Sequence, residues 1–213
     1  MIIVSLKSEA RGELFRIGLS DGSLFSFRNC YLPPDLQNTH LVDPASAEGK
    51  EITADEEVAF RDASACLRAE KAALRLIARA EQCTAGLSRK LEKRGHERTC
   101  VNAVISRLTS LRLLDDSRYA CLWLESRLRL ARSPRRMLIS LCARGIDRDD
   151  AEAAMKKALN EESEISMITR FVKKYAKKAG GNGGDIARSL KHVLKCEGFS
   201  QAAISRFFDK ATL

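Results

Sequence analysis

Aromatic side chains are scarce in this chain, at 6%, and only four prolines interrupt it. Ala, Leu, Arg and Lys are abundant instead, a mixture that favours helices over sheets. No stretch approaches the roughly 18 to 20 apolar residues that span a bilayer. The opening MIIVSLKSEARGEL is too short in its apolar part for a secretory signal, so a cytoplasmic protein is expected. Seven cysteines, an odd number, include no CxxC pair, and His40, His96 and His192 lie far apart. Metal sites usually need close ligand pairs. The cysteines therefore read as reduced thiols, and no metal or cofactor is expected. There is no Walker A loop, no GxSxG and no HExxH, which speaks against an enzyme.

What is present is enough apolar material for a core, at 45%, and a lopsided charge. Residues 1–65 hold 6 basic and 11 acidic residues, a net of −5; residues 66–213 hold 31 and 17, a net of +14. The basic field thus sits in the C-terminal two-thirds. It would attract phosphate backbones or acidic protein surfaces.

The first 30 residues alternate, with Ile2, Val4 and Leu6, then Phe15, Ile17 and Leu19, as the apolar sets. A turn at Ser20–Ser23 and a resumed pattern at Leu24–Phe27 complete a small antiparallel sheet of about three strands. Leu32-Pro33-Pro34 ends it, and residues 36–52 read as a linker or a last strand. Thr53 and Glu56 have the spacing of a capping box, so a helix starts there.

From residue 85 onward the chain repeats itself. LSRKLEKRGHERTCVNAVI, MLISLCARGIDRDDAEAAM and LKHVLKCEGFSQAAISRFF each hold one glycine: Gly95, Gly145 and Gly198. Leu91, Leu141 and Leu194 stand four residues before it, and His96, Ile146 and Phe199 one after. Offsets of four share a helical face, and the glycine ends that helix in a left-handed C′ conformation. Asp147 and Ser200 suit the N-cap of the next helix, while Glu97 suits it poorly. Ser133-Pro134 opens the second copy with a cap and an N1 proline. In the third, the glycine-rich 180–184 stretch is a connector and Asp185 a cap. A further helix precedes each pair, with Tyr119, Leu122, Trp123 and Leu130 as its apolar face in the second copy, and Ile168, Phe171, Val172 and Tyr175 in the third.

The expected fold is mainly α, with tandem three-helix repeats forming an elongated, curved array and a small N-terminal antiparallel β segment. The segments are 1–50 (β segment and linker), 51–115 (long helix and first repeat), 116–162 (second repeat) and 163–213 (third repeat).

The joint Leu113-Leu114-Asp115-Asp116-Ser117-Arg118-Tyr119-Ala120 is followed by Ser126-Arg127, Ser133-Pro134-Arg135-Arg136 and Leu141-Cys142-Ala143-Arg144-Gly145-Ile146. This order resembles the RecX family, and Cys196-Glu197-Gly198-Phe199-Ser200 resembles that family's closing helix pair. The likeness covers roughly residues 66–213. Gly86 and Ser140 stand where the family often has Glu, and Ser133 and Arg112 where it often has glycine. The resemblance implies a non-enzymatic regulator that lies along the RecA filament on DNA and depresses RecA's ATP hydrolysis and strand exchange. Its partners would be the RecA filament and single- or double-stranded DNA, direct or through RecA, with no membrane and a monomeric state. A basic DNA-binding protein built on helix-turn-helix-like units, acting without RecA, is the rival reading.

Arg127, Arg129, Arg132, Arg135, Arg136 and Arg144 form the densest basic region and suit bidentate contacts to phosphate or carboxylate. Arg89, Lys90, Lys93 and Arg94 repeat the theme in the first copy, and Lys173, Lys174, Lys177 and Lys178 in the third. Asp115 and Asp116 fit an N-cap and first-turn role better than a metal site, and Arg118 is placed to pair with one of them. The spacing of Tyr119 and Trp123 favours core packing over base stacking.

Overall fold

A computed structural model describes residues 1–9, 13–37, 39, 42–43, 47–128, 130, 132–176 and 183–211. Three strands, β1 (Ile3–Glu9), β2 (Leu14–Leu19) and β3 (Leu24–Arg28), lead into a 3-10 turn at Asn29–Tyr31. The helices among the described residues are α1 (Ala54–Ile77), α2 (Thr84–Glu92), α3 (Arg98–Ser110), α4 (Asp116–Arg127), α5 (Pro134–Cys142), α6 (Arg148–Ala158), α7 (Glu161–Ala176), α8 (Gly183–Cys196) and α9 (Gln201–Ala211). The protein is therefore mainly helical, with a small antiparallel N-terminal sheet. The chain divides into two compact units, Met1–Gln82 with Gly86–Leu114, and Cys83–Ala85 with Asp115–Leu213.

In the first unit the sheet has the order β1-β2-β3. The register slips between Ile3 and Ser5, and this irregularity changes the expected facing. Ile3 and Leu6 are buried, whereas Ile2 and Val4 are exposed. Phe27 stacks between Phe15 at 6.0 Å and Phe60 of α1 at 5.2 Å. The Thr53–Glu56 capping box is present. Farther along α1, Ala69 and Ala73 pack with Leu87, Leu91, Val101, Val104, Leu108 and Leu114.

An ionic cluster ties the sheet to the helices. Glu70 of α1, only 2% exposed, accepts from Arg28 Nε at 2.8 and 3.0 Å and from the Tyr31 hydroxyl at 2.9 Å. Arg107 Nε of α3 faces the same carboxylate at 3.8 Å. Burial, then Glu70's charge and its hydrogen bond, push the Tyr31 phenol well above its ordinary range. Burial opposes the Arg28 charge, but Glu70 more than offsets it and holds the guanidinium above its usual value. Burial and a hydrogen bond with Cys100 likewise push the Cys66 thiol up.

The second unit has one core, including Ala120, Trp123, Leu124, Met137, Leu141, Ile146, Met155, Ile168, Leu194, Phe199 and Ile204. Leu122 and Leu130, expected on the apolar face, are 47% and 40% exposed. Ala120 and Leu124 take their place, because α4 turns the Ala120–Trp123–Leu124 stripe inward. Phe171 and Val172 pack against the core from α7. The Tyr175 side chain lies outside the described residues, as do residues 180–182 of the expected connector 180–184. Asp185 falls inside the first turn of α8 rather than before it, because the helix already begins at Gly183.

The glycine turns are built alike. Gly95, Gly145 and Gly198 have φ of 83°, 90° and 83°. In each, the residue after the glycine donates its N–H to the leucine carbonyl four before it: His96 to Leu91, Ile146 to Leu141, Phe199 to Leu194. That is the Schellman closure. Arg112, standing where glycine is common in the family it resembles, takes φ 56°. Its turn closes the same way, through Leu113 N–H to Leu108 O at 2.9 Å. Asp147 and Ser200 cap their helices through side-chain oxygens, while Glu97 makes no side-chain cap bond.

Candidate functional site

The second repeat's arginines start from Trp123. This residue is 8% exposed on α4, and core packing is its role. The guanidinium carbon of Arg127 lies 5.6 Å from the ring centroid, and that of Arg144 lies 4.8 Å away. Each such contact contributes about 0.5–2 kcal/mol, depending on exposure. Arg144 also donates to Ser140 O at 2.8 Å. Arg127 Nε is buried without a hydrogen-bond partner among the described residues. The ring thus orients two of the six arginines instead of lying open for a base.

Arg132, Arg135 and Arg136 are exposed. Ser133 caps α5, accepting from Arg136 N–H, and its hydroxyl donates to Glu197. Arg135 donates its backbone N–H to Glu197 O at 3.0 Å and its Nη1 to Cys196 O at 3.4 Å. Arg136 Nε lies 3.9 Å from Glu197. The start of α5 is therefore locked onto the α8–α9 turn. Arg129, Lys177 and Lys178 lie outside the described residues.

Lys173 and Lys174 are exposed on α7. In the first unit Arg89, Lys90, Lys93 and Arg94 are exposed at the end of α2 and its turn, with Lys90 Nζ donating to Gln82 Oε1 at 2.6 Å.

The aspartate pair has divided duties. Asp115 caps α4, accepting from the Arg118 backbone N–H at 2.8 Å. Asp116 instead accepts from Thr84 N–H at 2.8 Å and Thr84 Oγ1 at 2.7 Å, at the start of α2. The sequence reading missed this latch; a 32-residue separation carries no periodic signal. Glu164 does the same for Ser200 at the start of α9. Asp116→Ala should cost about 1–3 kcal/mol, since it leaves two part-buried donors without a charged acceptor. Chemical denaturation checks this; a change under about 0.5 kcal/mol would mean the latch carries no stability.

Small helical modules, each closed by a glycine turn, define the fold class as a helical-repeat protein with a small N-terminal sheet. A family model described as "RecX, second three-helix domain" matches residues 115–155. The chain is 32% identical over 142 residues to the regulatory protein RecX of Treponema pallidum (strain Nichols), covering 66% of this chain and 84% of that one. It is also 32% identical over 139 residues to the regulatory protein RecX of Pseudomonas fluorescens (strain SBW25), covering 64% and 86%. A crystal structure of regulatory protein RecX shares the fold, with a TM-score of 0.72 at 17% identity over 98% of both chains. RecX from Lactobacillus salivarius gives 0.58 at 19% identity, covering 70% of this chain and 97% of its own. The chain belongs to the RecX family of regulatory proteins.

Proposed function

We propose that this chain is a non-enzymatic regulator that binds the RecA–DNA filament in the cytoplasm and depresses RecA's ATP hydrolysis and strand exchange. The observation that carries the reading is the second repeat. The RecX family model falls on residues 115–155, and that stretch presents Arg132, Arg135 and Arg136 to solvent. Exposed arginines offer forked donors to the carboxylates of a protein filament or to phosphates. Bound along the filament, a monomer would bridge adjacent RecA subunits. It would thereby restrain the movements that accompany ATP turnover, or obstruct the second DNA. The basic residues of the first and third repeats would add to the contact.

The test is RecA ATP hydrolysis on single-stranded DNA, titrated with this protein. Inhibition is expected well below one copy per RecA, at salt where its binding to bare DNA is weak. The rival, DNA binding without RecA, predicts inhibition that tracks bare-DNA affinity and falls steeply with salt. Arg132, Arg135 and Arg136 changed together to Gln should raise the protein needed by about tenfold or more, as loss of charged interface contacts does. Gln is chosen over Glu because a carboxylate at 136 would confront Glu197, and one at 135 the Cys196 carbonyl. Unchanged inhibition by the triple variant would remove this surface from the contact.

A further inference from the structure

The ionic cluster of the first unit holds more than its fold requires. Glu70 is buried and fully engaged by Arg28, Tyr31 and Arg107. It neutralises one of two guanidinium charges. The second is met by Glu13, whose side chain is 62% exposed. A single oxygen of Glu13 accepts from Arg28 Nη1 at 3.1 Å and Arg107 Nη2 at 3.2 Å. Both arginine side chains are only 22% exposed. One solvent-side carboxylate oxygen thus sits where two largely buried forks converge.

Behind it lies a pocket of about 250 Å³ lined by Glu13, Arg28, Asn29, Cys30, Gln37 and Arg107. This is below the size of sites for drug-sized ligands and suits a compact anion. Two buried polar atoms of its lining have no hydrogen-bond partner among the described residues: Arg107 Nε, which stands 3.8 Å from Glu70 as an ion pair only, and Asn29 Oδ1, an acceptor. The Asn29 orientation is set by Nδ2 donating to Gln37 O at 3.0 Å. The unmet acceptor calls for a ligand that is anionic yet carries an O–H. Singly protonated phosphate has both. Sulfate, a carboxylate and a backbone phosphodiester have no such hydrogen.

We propose that this pocket binds a protonated phosphate group, free or terminal on a larger molecule, cradled by Arg28 and Arg107, with its O–H donated to Asn29 and with Glu13 as the built-in competitor that the ligand displaces. Exposed ion pairs are weak, so Glu13 leaves at small cost. The shared chemistry is that of free phosphate and of a nucleotide or nucleic-acid terminal phosphate.

Isothermal titration of the full chain with inorganic phosphate near pH 6.5 tests this, with Glu13→Ala as the informative variant. Glu13 is exposed, so the variant should fold, and its phosphate affinity should rise about threefold to tenfold as two weak pairs no longer compete. Sulfate should bind at least about tenfold more weakly, because it leaves Asn29 unmet. The Nε–H resonances of Arg28 and Arg107 should shift saturably with phosphate. Tighter binding of 5′-phosphorylated than 5′-hydroxyl oligonucleotide by Glu13→Ala would point to a nucleic-acid end; equal binding beside saturable phosphate would point to the free ion. Either supports the site. Absence of binding in Glu13→Ala, sulfate bound as well as phosphate, or unmoved arginine resonances would overturn it.

Discussion

Gly145→Ala should destabilise the second unit by about 2–5 kcal/mol, well beyond the equivalent change at Gly198. Both glycines have positive φ, 90° and 83°. A left-handed conformation costs a non-glycine residue roughly 1–2 kcal/mol in either place. The difference lies in what a β-carbon would meet. At Gly145 it would overlap the β-carbon of Ala85. At Gly198 the nearest atom is Arg135 N at 3.4 Å, an ordinary contact. Overpacking a tight site adds about 1–3 kcal/mol, so Gly198→Ala should stay near the backbone cost alone. Gly95, with nothing within 4 Å of its would-be β-carbon, should do the same in the first unit. The chain's one tryptophan, Trp123, lies in the second unit's core, so its fluorescence during urea unfolding compares Gly145→Ala with Gly198→Ala. Equal losses would show that Ala85 yields and that the turn alone sets the cost.

Glu70→Ala should be the most damaging change in the first unit, costing about 3–5 kcal/mol, the usual penalty for leaving a buried ion pair half-made. It would strand Arg28 and Arg107 and remove the acceptor of the Tyr31 hydroxyl. Glu13→Ala, at the exposed end of the same cluster, should cost no more than about 1 kcal/mol. Circular dichroism of both variants in urea separates the cases; a mild Glu70→Ala would mean that water replaces the carboxylate. The cluster also implies an alkaline limit. The folded state holds Tyr31 protonated above its ordinary value, so that stabilisation is complete below about pH 10 and is lost as pH rises beyond it. Tyr31→Phe should flatten that loss.

Much of this was readable beforehand because it is local. Gly95, Gly145 and Gly198 announce their turns, since a left-handed residue followed by an apolar one closes a helix within six positions. The Thr53–Glu56 box, Ser133-Pro134 and Asp147 announce helix starts for the same reason. The local reading failed where one residue of slippage mattered. The irregularity after Ile3 turned Ile2 and Val4 outward, and the α4 stripe passed over Leu122. Of the candidate site, the residue types were legible. Their division was not: Arg127 and Arg144 lie on Trp123, Arg135 and Arg136 against the α8–α9 turn, and Arg132 is simply exposed.

The order of residues by itself determined the helical modules, their caps and turns, and the excess of positive charge after residue 65, because each depends on neighbours a few positions apart. Only the tertiary structure decided that Asp116 serves Thr84, that Glu197 serves Ser133, and that Glu13, Arg28, Glu70 and Arg107 meet in one cluster. Those partners are 15 to 94 positions apart. A carboxylate carries nothing in its own sequence neighbourhood to show which distant donor the folded chain will bring within hydrogen-bonding reach of it.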